Sequence, residues 1–85
     1  MTPCPTPTDD AIRAALTDLA LQRGAGRTFC PSEAARALSS DWRPLMPRIR
    51  TVAAAMQAEG ALAVTQKGAP ADPVTARGPI RLGLP

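Results

Sequence analysis

Residues 41–60, DWRPLMPRIRTVAAAMQAEG, carry apolar side chains at helical spacing, which predicts a long amphipathic helix. A proline inside a helix removes a backbone hydrogen bond, so we expect the helix to begin near Pro44 with Pro47 close to its start. Gly60 is expected to end it as a left-handed cap. The side predicted to face the core holds Trp42, Leu45, Ile49, Val52, Ala53 and Met56. Any fold of this chain must bury that side.

The opposite side of this helix carries arginines in its first half and small side chains afterwards. Such a helix is typical of DNA recognition, but it also fits a core helix with a solvated basic rim. The residues on that side are Arg43, Pro47, Arg50, Thr51, Ala54 and Ala58, with Arg48 on its flank. The rest of the chain must decide between the two interpretations.

The length of the chain limits it to one folded unit. A chain of 85 residues buries about 60–65% of its unfolded surface, which excludes a second core. With one Phe, one Trp and no Tyr, we expect an aliphatic, alanine-rich core with Trp42 as its large aromatic anchor. The predicted organisation is a flexible Pro-rich tail over residues 1–7 and a single domain over residues 8–85.

The charge and hydropathy patterns bear on partners and location. Ten Lys and Arg against seven Asp and Glu give a net charge of +3, which suits an anionic partner without requiring one. No apolar run is long enough to span a bilayer, and the first residues lack the basic cluster and apolar run of a signal peptide. These patterns predict a cytoplasmic protein with no membrane partner.

The chain has few residues suited to catalysis or metal binding. It contains no His and only two cysteines, Cys4 and Cys30, so a metal would need carboxylate ligands at spacings that the sequence lacks. A reducing compartment disfavours a disulfide between them, and no His is present to activate either thiol. The adjacent carboxylates Asp9 and Asp10 are explained by the first turn of a helix. We therefore expect no metal, no cofactor and no enzymatic activity.

Three shorter patterns precede the long helix. A first helix is predicted with Thr8 or Asp9 as its cap and Gly24 as its stop. Residues 27–30 favour a short edge strand. Residues 32–38 predict a helix of barely two turns.

After the long helix, the hydrophobic period changes from helical to alternating. Leu62 and Val64 alternate with smaller or polar residues, and Ile80 and Leu82 do the same near the C-terminus, which predicts a two-stranded hairpin. Residues 67–78 between the strands are too long for a tight turn. The element order predicts a mostly α fold with a small β-hairpin: a winged helix-turn-helix, in which a three-helix bundle carries a wing.

Four segments, CPSEAARAL, WRPLMPRIR, AEGALAVTQKG and DPVTARGPIRL, resemble in order the bacterial family called domain of unknown function 3253. The resemblance covers roughly residues 29–82. It implies a small protein with a winged-helix fold. The family has no established biochemical role, so the resemblance implies no function.

The leading hypothesis for this fold is a DNA-binding transcriptional regulator. Helix 44–59 would lie in the major groove of double-stranded DNA, with loop 67–78 as the wing on phosphates or in the minor groove. The alternative is a protein–protein interaction module that docks a partner on the Ala-rich face of the long helix. The residues predicted to contact DNA are Ser32, Arg36, Arg43, Arg48, Arg50, Thr51, Lys67, Arg77 and Arg81.

The oligomeric state bears on affinity. A monomer that neutralises about four phosphates has a log–log salt slope of roughly −3.6 and binds weakly, so tight operator binding needs a homodimer. Leu21 is either a lone exposed leucine or part of a contact with another chain. The other surfaces available to a homodimer or a protein partner are Ala14 and the alanine face of the long helix.

Overall fold

The computed structural model describes residues 7–85, which form three α-helices and a four-stranded antiparallel sheet. The helices are α1 (Asp9–Arg23), α2 (Pro31–Leu38) and α3 (Met46–Ala58), with a 3-10 turn at Arg43–Leu45 directly before α3. The strands are β1 (Thr28–Phe29), β2 (Ala63–Gln66), β3 (Ala69–Pro70) and β4 (Arg81–Gly83), paired in the order β1-β4-β2-β3.

This architecture confirms the predicted fold class, because a helical bundle with a small antiparallel sheet is compatible with a winged-helix arrangement. The predicted tail over residues 1–7, with Cys4, lies outside the described residues except for Pro7. None of the helices within residues 7–85 has the length and apolar character needed to cross a membrane.

Helix α1 begins and ends at the predicted signals. The hydroxyl oxygen of Thr8 accepts a hydrogen bond from the N–H of Ala11 at 3.1 Å, and loss of such a cap costs about 1 kcal/mol. Asp9 and Asp10 lie in the first turn, where the helix dipole favours negative charge. Gly24, with φ of 82°, ends the helix. Local sequence signals therefore set both ends of α1.

Helix α3 begins later than predicted because of its two prolines. Pro44 lies in the 3-10 turn and Pro47 in the first turn of α3, positions where a backbone N–H has no helical acceptor. The predicted helix 44–59 is thus a 3-10 turn followed by α3. Gly60, with φ of 77°, has the left-handed conformation predicted for the end of the helix.

The core is aliphatic, as predicted, but its aromatic anchor is Phe29 and not Trp42. Phe29 of β1 is fully buried, whereas Trp42 is partly buried and packs against the edge of the core. Trp42 precedes the 3-10 turn, so its ring does not continue the inward side of α3. The largest fully buried side chains are Phe29, Ile12, Leu16, Ile49, Leu62, Ile80, Leu82, Val64 and Pro73.

The segment between the two predicted hairpin strands contains a tight turn and a third strand. Strands β2 and β4 pair as predicted, with Val64 opposite Leu82. The connection between β2 and β4 is long, as expected, and it begins with a feature that was not predicted: Lys67 and Gly68, with φ of 54° and 83°, form a two-residue turn into β3. Strand β3 is short and ends in a proline, which an edge strand tolerates. We call residues 67–79 the wing.

Candidate nucleic-acid interface

Ion pairs join α1 to the other two helices. The pairs are Arg13–Glu59, Arg23–Glu33 and Arg48–Asp9. Each contains one residue of α1, and within residues 7–85 these are the ion pairs that form. The remaining cations of the described chain have no carboxylate partner, so the positive charge is concentrated away from α1.

Arg48, predicted as a DNA contact, lies against the start of α1. Its Nη1 donates to the carbonyl of Pro7 at 2.7 Å, and its Nη2 donates to the carboxylate of Asp9 at 2.6 Å. The guanidinium therefore fixes the entry of the chain into α1. Because Asp9 balances its charge, Arg48 attracts an anionic partner less than the sequence indicates.

Arg50, also predicted as a DNA contact, holds the wing against α3. Its terminal nitrogens donate to the carbonyl oxygens of Pro73, Ala76 and Gly78 at 3.4, 3.0 and 2.8 Å. Further along α3, the amide of Gln57 donates to the carbonyl of Ala71 at 2.8 Å. Carbonyl oxygens carry no net charge, so these bonds fix the wing and leave the charge of Arg50 in place.

A cationic cleft opens on the wing. Its lining residues are Gln66, Lys67, Arg77, Pro79 and Arg81, and we call it the wing cleft. Gln66 donates to the carbonyl of Arg77 and to that of Pro79 at 3.3 Å, which fixes the two sides of the cleft. None of its three cations forms an ion pair within the described residues. Like charges held together attract an anion, so this cleft is suited to a phosphate or carboxylate.

Arg81 is held by neutral partners on β1. Its Nε donates to the hydroxyl of Thr28 at 2.9 Å and its Nη2 to the Thr28 carbonyl at 3.0 Å. The backbone N–H of Cys30 donates to Glu33 at 2.9 Å and lowers the pKa of that carboxyl; the guanidinium groups of Arg23 and Arg81 lower it further, whereas partial burial opposes them. The charge of Arg81 thus reaches the first turn of α2.

Two arginines flank the single tryptophan at the junction of α2 and α3. The Cζ atoms of Arg36 and Arg43 each lie 4.7 Å from the centroid of the Trp42 ring. A cation–π contact at an exposed site contributes about 0.5–1 kcal/mol. Both arginines remain exposed. Trp42 therefore orders two cations at the surface.

The other two predicted contacts, Ser32 and Thr51, are not part of either cluster. Ser32 is half-buried in the first turn of α2. Thr51 is exposed on α3, and its hydroxyl donates to the Pro47 carbonyl at 3.0 Å. The structure therefore gathers Lys67, Arg77 and Arg81 in one cleft and Arg36 and Arg43 on one ring. Arg48 instead binds the start of α1, and Arg50 binds the wing.

Sequence reasoning missed Gln66, Trp42 and Val74 as candidate site residues. Gln66 directly precedes the Lys-Gly turn, and that dipeptide between alternating residues was the available signal. Val74 is 58% exposed on the wing, at a position set by contacts with α3. No local pattern in the sequence marks it.

Comparison with known proteins places the chain in a family. No curated protein matches it. The family model described as "Protein of unknown function (DUF3253)" matches residues 9–85, from the start of α1 past the end of β4. This match confirms the resemblance seen in four sequence segments and extends it to α1. The chain therefore belongs to the domain of unknown function 3253 family.

Proposed function

We propose that the protein binds double-stranded DNA as a winged-helix module, with the wing cleft on the phosphate backbone and the first half of α3 in the major groove. The observation that carries this proposal is the convergence of Lys67, Arg77 and Arg81 on one cleft without an ion pair among the described residues. The role is binding and not catalysis. Regulation of transcription is the biological role that the fold class suggests by analogy.

Phosphodiesters are bound by Lys and Arg side chains that keep their charge, and most protein–DNA hydrogen bonds go to the backbone. The hydrogen bond from Arg50 to Gly78 keeps Arg77, the preceding residue, beside α3. A duplex that occupies the wing cleft is therefore close to the first half of α3, which contains Arg50. Arg43, exposed in the turn before α3, adds a further cation there.

The experiment is an anisotropy titration with a random duplex at low and at moderate salt. We expect binding at low salt that weakens steeply as salt rises. Arg77→Ala should lower the affinity and reduce the log–log salt slope by about 1, because one phosphate contact is lost. Arg27→Ala is the matched control, since Arg27 is an exposed arginine outside the cleft. Absence of binding at low salt would overturn the proposal.

The second candidate is a protein–protein interaction module. The second half of α3 exposes Ala55 and Ala58, and small side chains allow another helix to approach closely. A module of this kind would show no duplex binding at low salt and would keep its partner in the Arg77→Ala variant. Ala58→Glu would abolish that interaction, because it puts a charge into the contact.

A further inference from the structure

An open groove runs between the first half of α3 and the wing. Its lining residues are Met46, Pro47, Arg50, Thr51 and Val74, and we call it the α3–wing groove. Apart from the guanidinium of Arg50 and the hydroxyl of Thr51, the lining side chains are apolar. Within the described residues, Val74 and Leu21 are the large hydrophobic side chains that are exposed, and the exposed fraction of Val74 is 58%.

The turn that carries Val74 is fixed from two sides. The carboxylate of Asp72 accepts a hydrogen bond from the N–H of Val74 at 2.8 Å, and its carbonyl accepts one from Ala76 at 2.8 Å. Pro73 is buried, and Arg50 binds the carbonyls on this turn. An apolar side chain is thus presented to solvent on a rigid support, which lowers the entropic cost of using it for binding.

The polar groups of the groove have few free hydrogen-bond donors. The Nη1 of Arg50 donates to two wing carbonyls and its Nη2 to a third. The hydroxyl of Thr51 donates to Pro47, within α3. Three of the five N–H groups of Arg50 already bind the wing, and apart from Thr51 the other lining side chains are apolar. The groove therefore offers mainly carbon atoms to a ligand.

We infer that the α3–wing groove recognises the 5-methyl group of thymine in the major groove. This inference rests on the proposed DNA binding. The thymine methyl is the apolar mark among the base-pair edges of the major groove. The groove and the wing cleft are neighbours, because Arg50 in the groove binds Gly78, which follows Arg77 in the cleft. In a DNA duplex, the phosphates lie on the outside and the thymine methyl groups lie within the major groove. The cationic wing cleft beside the apolar α3–wing groove matches this arrangement.

The test compares an alternating A·T duplex with the same duplex made with deoxyuridine, which lacks the methyl group. At one low salt concentration, we expect the uracil duplex to bind about fourfold more weakly for each methyl contacted, since burying one such group is worth about 0.8 kcal/mol. A G·C duplex with 5-methylcytosine carries a methyl at the equivalent position. It should bind more tightly than the unmethylated duplex.

Two variants locate the effect. Val74→Ala should reduce the thymine-to-uracil affinity ratio, because it removes apolar surface from the groove. Arg77→Ala should weaken binding to both duplexes equally and leave the ratio unchanged. Equal affinity for the two duplexes, or an unchanged thymine-to-uracil ratio in Val74→Ala, would overturn the inference. The groove would then be a candidate site for an apolar protein segment, and the proposed DNA binding would be unaffected. Failure of every duplex to bind at low salt would remove the proposed function itself.

Discussion

The cations beside α1 and those of the wing are held in different ways. Beside α1, Arg13, Arg23 and Arg48 each pair with a carboxylate. On the wing side, Arg50 and Arg81 donate to carbonyl and hydroxyl oxygens. Both arrangements fix the position of an arginine, but only the ion pair cancels its charge. The wing side is therefore ordered and still positive.

This difference separates two uses of arginine in one small domain. The acid of the wing, Asp72, accepts a hydrogen bond from the backbone of Val74 and forms no ion pair with a wing cation in the described chain. The carboxylates that do pair lie in or next to the helices. Replacing single residues on the two sides should therefore have separable effects on stability and on binding.

Arg50→Ala tests the wing side most severely. Because one guanidinium donates to three wing carbonyls, we expect the variant to lose about 2 kcal/mol of unfolding free energy, in the range for hydrogen bonds from a charged donor. Amide hydrogen exchange should also accelerate across residues 73–78. Arg50→Lys is the control. One ammonium group cannot reach all three carbonyls, so this variant should recover only part of the unfolding free energy lost in Arg50→Ala. A loss below about 0.5 kcal/mol would show that contacts other than those of Arg50 hold the wing in place.

Glu33→Gln tests the ion pair between Arg23 and Glu33, whose carboxylate also caps the N-terminus of α2. The carboxylate accepts from the N–H of Cys30 and pairs with Arg23. Gln keeps an acceptor for the Cys30 N–H but has no charge, so we expect a loss of about 1 kcal/mol near neutral pH from the ion pair and the charge-assisted hydrogen bond. The pKa of Glu33 is depressed below its usual 4.5, so its stabilisation is present above that pH and is lost as the pH falls through the folded-state pKa.

Urea unfolding of both proteins across acidic pH measures this effect. The difference in unfolding free energy between wild type and Glu33→Gln should shrink towards zero as the pH falls, because protonated Glu and Gln are then alike. A difference that stays constant with pH would assign the effect of the substitution to packing.

Arg13→Ala tests the exposed pair between α1 and the residue after α3. The side chains of Arg13 and Glu59 are 35% and 51% exposed, so solvent screens the pair and we expect only about 0.2–1 kcal/mol. A double-mutant cycle with Glu59→Ala measures the coupling. The coupling energy should decrease as the salt concentration rises from about 0.1 M to about 1 M. Coupling that is insensitive to salt would contradict a screened ion pair.

Arg77→Ala should have the smallest effect on stability. Its side chain is exposed and makes no ion pair within the described residues, so the unfolding free energy should change by less than about 0.5 kcal/mol. Urea unfolding measures this beside the duplex titration. A loss above about 1 kcal/mol would show that the cleft cations support the wing, and the contrast between the two sides would fail.

Much of the fold follows from local signals in the sequence. Thr8 and Gly24 set the ends of α1, and Gly60 marks the end of α3, because caps and positive φ depend on adjacent residues. The change of period after Gly60 identified β2 and β4. Strand β3 was missed because a two-residue strand has no period to detect.

The candidate site was harder to predict because its contacts are between distant residues. Helical spacing places Arg50 on the outer side of α3, but it does not show that the wing folds back over that side and binds the guanidinium. Trp42 was assigned to the core on the assumption that helical spacing starts before Pro44; the 3-10 turn breaks that spacing. To predict the wing cleft, the path of the whole segment after β2 would have to be known.

The strand order has a consequence for how the domain is made. Strand β4 lies between β1 and β2, and Arg81 binds Thr28 across a separation of 53 residues. During synthesis, the ribosome releases β4 after all three helices and the other strands, so β1 and β2 have no partner between them until then. Contacts of such long range form late and slowly. We therefore expect the sheet to close last, when Leu82 pairs with Phe29 on one side and with Val64 on the other.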